Sequence, residues 1–167
     1  MSRKIINDQL SVEDNTVTKI CKDCGRELPV CKFNYWNKEL GTHMIICKEC
    51  EKKRKQKKHD ERRNILNTLK SSGCCCCNES DVNCLDFHHI DPQNKEFNMS
   101  VALNKPVKKM LEEASKCVVV CANCHRKIHA GVINIDNHIN RRQHNYMNNI
   151  IGVMMNFYES ENKTKSK

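Results

Sequence analysis

The sequence Leu-Asp-Phe-His-His-Ile-Asp-Pro, residues 85–92, and the sequence Val-Cys-Ala-Asn-Cys-His-Arg-Lys-Ile-His, residues 120–129, decide the fold of this chain. The first block alternates apolar and polar side chains and predicts a short β-strand over Leu85 to Ile90. The second block predicts the start of a helix, on which two histidines four residues apart share one face. The imidazoles that these two blocks carry are those of His88, His89, His125 and His129.

The two adjacent histidines of the strand need a change of direction between them if they are to act together. Strict alternation sends His88 and His89 to opposite faces. We therefore expect a bend directly after His88, and Asp91-Pro92 supplies a natural strand end. A lone histidine on an apolar strand usually belongs to the core. An adjacent pair followed downstream by Cys-x2-Cys-His-x3-His favours a functional site.

Composition indicates a small α+β protein of two modules stabilised by zinc. The chain has 167 residues, with 5% aromatic and 29% charged residues, so a large apolar core is not expected. Modules shorter than about 70–80 residues usually need covalent or metal cross-links. The 13 cysteines can supply them. Because no export signal or membrane-spanning apolar run is present, we expect zinc thiolates in a reducing compartment, the cytoplasm or nucleus of a host, and no membrane association.

The first module is predicted over residues 19–50. Two Cys-x2-Cys pairs separated by 22 residues are typical of a four-cysteine zinc ribbon, whose closed site has a structural role. Gly25, directly after the first pair, suits a tight turn. Cys31 falls outside the spacing and is expected to pack. We expect Phe33, Tyr35 and Trp36 to cover the metal, whose ligands would be Cys21, Cys24, Cys47 and Cys50.

A second four-thiolate site is predicted from the cysteine run in residues 73–78. Only Cys74 and Cys77 have the spacing of a zinc knuckle there, and Cys121 and Cys124 complete the set. Two structural zinc ions per chain follow from these patterns. Cys84 is an alternative ligand. A redox role for the run is less favoured, because four of the thiolates already have a structural use.

The net charge of +9 favours a polyanionic partner, and the charge is concentrated in one segment. Residues 48–70 contain ten lysines and arginines against four acidic residues, and residues 51–70 lack glycine and proline, which predicts a basic linker helix. The helix could be a solvated linker, a nuclear-localisation patch or an arm that follows DNA phosphates. We favour DNA contact through Lys52, Lys53, Arg54, Lys55, Lys57, Lys58, Arg62 and Arg63.

The remaining segments are assigned from composition and periodicity. Residues 1–18 are expected to form a flexible arm and residues 161–167 a disordered tail. A helix over 105–116 and a strand over 117–120 are predicted to precede the second cysteine pair. Residues 136–160 predict an amphipathic helix that packs on the core. Dimerisation, or nucleic-acid contact through Arg141, Arg142 and His144, are the alternative uses of this helix.

Residues 73–131 together resemble the HNH, or ββα-metal, endonucleases of phages, viruses and mobile elements. Residues 19–50 more loosely resemble a zinc ribbon that precedes such domains in some phage proteins. The resemblance implies a ββα-metal nuclease domain over 71–135 that hydrolyses DNA, expected to be double-stranded, to 5′-phosphate and 3′-hydroxyl ends. It does not specify whether the protein is a monomer or a dimer.

The resemblance also implies a role for each histidine. His88 matches the metal ligand of the first motif, His89 the general base, and His125 and His129 the ligands on the helix. Asp86 is suited to orient a ring or a neighbouring cation beside the metal. Three imidazoles favour Zn²⁺, Ni²⁺, Co²⁺ or Mn²⁺ as the one catalytic ion, and Mg²⁺ becomes plausible if only two of them bind.

One position departs from the family pattern. Lys116 stands where the family usually has the asparagine that constrains the hairpin. Two other classes of function are therefore considered beside the nuclease. One is a zinc-scaffolded nucleic-acid-binding protein with a vestigial nuclease site, and the other is a structural zinc protein of a larger assembly. The presence of His89 favours the enzyme, because a binding module has no need of a general base.

Overall fold

The computed structural model describes residues 17–165, apart from the side chains of residues 140–144, 160–161 and 163–165. Most of the predicted arm, the end of the predicted tail and the side chains of Arg141, Arg142 and His144 lie outside the described residues. The chain divides into two compact units, residues 1–58 and 59–167. Among the described helices, none is long and apolar enough to cross a membrane.

The first unit contains two antiparallel hairpins. Strand β1 pairs with β2, and β3 pairs with β4. Gly25, with a φ of 68°, takes the left-handed conformation that its predicted turn requires. The four strands span Thr18–Ile20, Glu27–Pro29, Phe33–Asn37 and Thr42–Cys47 in that order.

The core of this unit is a small cluster of cysteine side chains with one aromatic ring. Phe33 is buried against Cys21, Cys47 and Cys50, as predicted. The prediction that the other two aromatics cover the cysteines is wrong. Tyr35 is 49% exposed and Trp36 is 77% exposed. Alternation along β3 places Trp36 on the face opposite Phe33. The pairing of β3 with β4 shifts register on both sides of Tyr35, so Tyr35 does not continue the face that Phe33 presents.

Helix α1, Lys48–Lys70, follows β4 without a loop. The predicted basic helix is present and begins three residues earlier than residue 51, so Cys50 lies in its first turn. Two ion pairs at i,i+4 spacing support this first part, Glu49 with Lys53 at 2.9 Å and Glu51 with Lys55 at 2.6 Å.

The second unit is built around one hairpin. Strand β5, Leu85–His89, pairs antiparallel with β6, Cys117–Cys121, and the register runs from Leu85↔Cys121 to His89↔Cys117. Both predicted strands are confirmed. The expected bend after His88 is absent, because β5 stays paired through His89 and the backbone N–H of Ile90 still donates to the Lys116 carbonyl at 3.1 Å. The chain bends at Ile90 instead.

Three helices surround the hairpin. Helix α2, Val107–Ala114, begins after Pro106, and helix α3, Ala122–His129, ends before Gly131, whose φ is 70°. Both helices were predicted. Helix α4, Asp136–Lys165, is longer than the predicted 136–160 and covers residues 161–165, which were expected to be disordered.

The core of the second unit lies between the hairpin, α2 and α4. Every residue of β6 is buried, and its valines at 118–120 pack with Leu85, Leu111 and Ile150. Burial of each such side chain contributes about 1.5–3 kcal/mol. Tyr146 of α4 is also buried, so the prediction that α4 packs on the core is confirmed. This packing holds β5 and α3 in place beside each other.

Candidate functional site

The first four-cysteine group could hold a metal ion. Its sulfur atoms all lie within 4.8 Å of one another. The backbone N–H of Cys47 donates to Cys21 Sγ at 3.3 Å, and this bond, with other backbone N–H groups, lowers the pKa of Cys21 to about 6. Arg26 Nε donates to Cys24 Sγ at 3.3 Å and lowers that pKa as well. Because the thiolate is the metal-binding form, these contacts favour a metal site. The neighbouring Cys47 thiol and burial raise the pKa of Cys50 to about 12, so the four thiols do not ionise alike without a metal. The predicted ligands are all present, namely Cys21, Cys24, Cys47 and Cys50.

The second four-cysteine group has the spacing of a tetrahedral thiolate site. Cys77 Sγ lies 3.7 Å from Cys121 Sγ. A zinc–sulfur bond of about 2.3 Å gives a sulfur–sulfur edge of about 3.8 Å in a tetrahedron. The backbone N–H of Cys124 donates to Cys121 Sγ at 3.4 Å and caps helix α3. The group comprises Cys74, Cys77, Cys121 and Cys124 and, like the first, is consistent with structural zinc.

The other cysteines take no part in these two groups. Cys84, the alternative ligand, is exposed and lies outside both groups among the described residues. Cys75 and Cys76 stand side by side, with their sulfur atoms 3.5 Å apart. Burial raises the pKa of the Cys75 thiol, and that of Cys117 to about 12. Such thiols stay protonated at neutral pH, which disfavours the redox interpretation of the cysteine run.

Three of the predicted histidines come together into a third group. Strand β5 supplies His88, and helix α3 supplies His125 and His129 from one face. The His88 ring centroid lies 5.1 Å from that of His125 and 5.2 Å from that of His129, and the last two are 4.9 Å apart. One nitrogen from each ring lies within 4.8 Å of the others, so the group could hold a metal ion.

The electrostatics of this group suit a metal ligand. His88 is 8% exposed. Burial, and then the neighbouring rings of His125 and His129, lower the pKa of His88 to about 4. Its ring is therefore neutral at pH 7 and offers a lone pair. Asp86 Oδ2 lies 3.4 Å from His125 Nδ1, which is the orienting contact expected of Asp86.

A cavity of about 580 Å³ opens onto the three rings. Two cations line it, Lys70 and Lys95, and neither was predicted from the sequence to belong to the site. Burial lowers the pKa of Lys70, although Asp86 opposes the shift. The further polar residues of the wall are Asp86, Asn98 and Ser100. A cavity lined by four imidazoles and two ammonium groups, with one carboxylate, is suited to an anionic ligand.

His89 also lines the cavity, but a second contact holds its ring. His89 Nε2 lies 2.8 Å from Glu113 Oε1, and Glu113 is only 1% exposed. Lys116, the residue that departs from the family pattern, pairs with Glu113 Oε2 at 2.9 Å. Sequence reasoning missed Glu113. The available signal was its place on α2, where it shares the buried stripe of Met110 and Ala114 at helical spacing.

The predicted DNA-binding cations of helix α1 differ in their surroundings. Arg54 pairs with Asp23, and Lys53 and Lys55 pair with glutamates of their own helix. Arg62 donates to the Leu103 carbonyl at 2.9 Å and so has a structural use. Of the eight predicted cations, all within the described residues, Lys52, Lys57, Lys58 and Arg63 are exposed and have neither an ion pair nor a hydrogen bond of this kind.

A scan against protein-family models, a search of curated proteins and a search of solved structures found no match to this chain.

Proposed function

We propose that this protein is a metal-dependent endonuclease of the ββα-metal (HNH) type that hydrolyses phosphodiester bonds in DNA. The observation that carries the proposal is the meeting of His88, His125 and His129 at a cavity that His89 also lines. Three protein ligands leave a coordination position open, which distinguishes catalytic from structural metal sites. The β5–β6 hairpin followed by α3 is the arrangement that the resemblance implies.

The two four-cysteine groups would hold structural zinc in this proposal. The first would make residues 19–50 a zinc ribbon, and the second would join the start of β5 to the start of α3. Their closed donor sets have no free position for a substrate. Thiolate sites of this kind require a reducing compartment, the cytoplasm or nucleus of a host cell.

His88, His125 and His129 would hold one further divalent ion, Zn²⁺, Ni²⁺, Co²⁺ or Mn²⁺, and Mg²⁺ would be the ion if only two of them bind. When bound, the ion supplies positive charge that stabilises the transition state and the leaving oxygen. Lys70 and Lys95 supply further positive charge from the wall of the cavity and would position the phosphate.

His89 would act as the general base. It takes a proton from a water molecule, whose oxygen attacks the phosphorus atom while the bond to the 3′ oxygen breaks. The leaving 3′ oxygen receives a proton from solvent. The products are one 5′-phosphate end and one 3′-hydroxyl end, with one water consumed for each bond cleaved.

The basic first unit would hold the DNA. Residues 17–58 carry twelve lysines and arginines against five acidic residues, so most of the net charge of the chain lies there. The exposed, unpaired ammonium groups of α1 are free to contact phosphates. Binding of this kind releases counterions and weakens as salt is raised. Double-stranded DNA is the partner that we propose.

The test is nicking of a supercoiled plasmid by zinc-loaded protein, with each divalent ion supplied in turn. We expect the wild type to nick and His89→Ala to lose activity by roughly 10²–10⁴-fold while it binds DNA normally. Equal nicking by both proteins would overturn the assignment of the base. Absence of nicking by the wild type with every ion would overturn the enzyme.

The last outcome would favour a zinc-scaffolded nucleic-acid-binding protein with a vestigial site. The observation that supports this second candidate is the concentration of unpaired cations on α1, which does not depend on the histidine group. The two candidates predict the same salt-sensitive DNA binding and differ only in cleavage.

A further inference from the structure

Glu113 is a carboxylate in the core of the second unit. It is 1% exposed, and it shares the inner face of α2 with Met110 and Ala114. Burial of a charge is costly unless hydrogen bonds and a counter-charge compensate it. A buried carboxylate in an otherwise apolar stripe is therefore expected to have hydrogen-bond donors and a cation around it.

Those partners surround both oxygens of the carboxylate. Oε1 accepts the backbone N–H of Glu96 at 2.9 Å and faces His89 Nε2 at 2.8 Å. Oε2 pairs with Lys116 Nζ at 2.9 Å, and Lys116 also reaches Glu96 at 3.2 Å. Burial alone would raise the pKa of Glu113, but the bonds from Lys116, His89 and the backbone lower it to about 2.

An ionised carboxylate can only accept hydrogen bonds. The contact at 2.8 Å therefore requires that His89 Nε2 carries the hydrogen and donates it to Glu113. In the neutral ring, the other nitrogen, Nδ1, then holds the lone pair. A base needs such a lone pair to accept a proton.

We propose that Glu113 is a positioning residue that fixes His89 in the tautomer with hydrogen on Nε2, so that Nδ1 is the atom that accepts the proton. The assignment of His89 as base rests on the proposed function. The hydrogen bond and the tautomer do not, and they can be tested separately.

Lys116 has a defined part in this arrangement. Its ammonium group compensates the charge of Glu113 at Oε2, the oxygen that does not contact His89, and the two residues are three positions apart on the chain. In place of the family's asparagine, this chain thus has a lysine that holds the carboxylate behind the base. Lys116 therefore holds His89 in place through Glu113, a contact that an asparagine at position 116 would not provide in this form.

The decisive measurement uses the unaltered protein, loaded with zinc and without added third ion. Long-range ¹H–¹⁵N correlation spectra report which nitrogen of a histidine ring carries hydrogen. We expect His89 to show the pattern of a ring protonated on Nε2. The opposite tautomer, or an equal mixture of the two, would overturn the proposal whether or not the protein cleaves DNA.

Variants connect the tautomer to the reaction. Glu113→Gln removes the charge with little change of shape, and we expect it to mix the two tautomers and to lower the nicking rate by roughly 10²-fold. Glu112→Gln is the matched control, since it removes one charge from the neighbouring position of α2 and should stay within about twofold of wild type.

The comparison keeps its meaning if Glu113→Gln folds poorly, because the spectrum of the wild type does not depend on any variant. A folded Glu113→Gln protein with two zinc ions, a wild-type spectrum and a wild-type nicking rate would contradict the proposal. If the wild type shows the Nε2–H tautomer but cleaves no DNA, the proposed role of Glu113 in fixing the tautomer stands and only the proposed nuclease function is overturned.

Discussion

Asp86 Oδ2 lies 3.4 Å from His125 Nδ1, so a carboxylate of strand β5 contacts a ring of helix α3. The contact leaves Nε2 of His125 as the nitrogen available to an ion. Partners of this kind fix the orientation of a ligand and raise its basicity.

We therefore expect Asp86→Asn to lower the affinity of the three-histidine group for Ni²⁺ or Mn²⁺ by about 10–100-fold. Isothermal titration of zinc-loaded protein measures this affinity. Glu112→Gln, which removes one charge away from the cavity, should bind the ion as the wild type does. An unchanged affinity in Asp86→Asn would show that the contact does not orient His125.

The two four-cysteine groups predict which cysteine substitutions reduce the number of bound zinc ions. Cys121→Ser should remove one of two tightly bound zinc ions and unfold the second unit, since structural zinc contributes about 10–16 kcal/mol of apparent binding free energy. Cys76→Ser should retain both ions, because Cys76 belongs to neither group. Native mass spectrometry counts the ions, and circular dichroism follows the fold. Loss of zinc in both variants would contradict the ligand assignment.

Burial of His88 predicts a dependence of stability on pH. Its pKa is about 4 in the folded chain, below the ordinary 6.5. Between pH 6.5 and pH 4, His88 binds a proton in the unfolded chain but not in the folded chain. The contribution of the buried, neutral His88 to the free energy of unfolding is therefore complete above pH 6.5 and falls as the pH is lowered toward 4. Relative to His88→Gln, the wild type should lose on the order of 2–3 kcal/mol across that window. Denaturant unfolding of both zinc-loaded proteins measures the difference, and parallel pH profiles would contradict the prediction.

DNA binding should depend on the unpaired lysines of helix α1. The chain has a single tryptophan, Trp36, and it is exposed in the same unit as these lysines, so its fluorescence can report binding. Replacing Lys52, Lys57 and Lys58 with glutamine should reduce the slope of log affinity against log salt by about 2–3, since each phosphate contact contributes roughly 0.9. The triple lysine-to-arginine variant should keep the wild-type slope. A glutamine variant with the wild-type slope would exclude these lysines from the interface.

Helix α4 should be required for the stability of the second unit. The Tyr146 hydroxyl donates to the Ala114 carbonyl at 2.6 Å, and the ring is buried. Tyr146→Phe should cost about 1 kcal/mol of unfolding free energy, and Tyr146→Ala about 3–5 kcal/mol. Met155→Ala is the control, because Met155 is an exposed apolar side chain of the same helix. Equal effects at both positions would contradict the packing of α4.

The Cys-x2-Cys pairs and the two helix histidines could be predicted because their spacing is local, whereas the four-ligand requirement of zinc joined the cysteine pairs and the family resemblance joined His88 to the helix. Two thiols three residues apart, or two imidazoles four apart on a helix, are brought together by the backbone geometry of a single turn. Alternation likewise predicted that His88 and His89 leave β5 in different directions. The bend expected between them does not occur, because β5 stays paired with β6 through His89.

Contacts between distant segments could not be predicted in this way. Glu113 meets His89 only through the docking of α2 onto the hairpin, and Lys70 reaches the cavity only because α1 continues to that point. The exposure of Tyr35 depends on a register shift that no residue pattern of β3 reveals. The length of α4 was underestimated because its polar end has no apolar periodicity.

Helix α3 has eight residues and carries donors for two ions, Cys124 near its start and His125 and His129 along one face. A helix this short is not stable by itself in water. Zinc at the thiolate site would therefore stabilise the first turn before the imidazoles are presented, which predicts an order of metal loading. Under the proposed function, a cell short of zinc would contain chains that leave DNA uncut even where manganese or nickel is abundant.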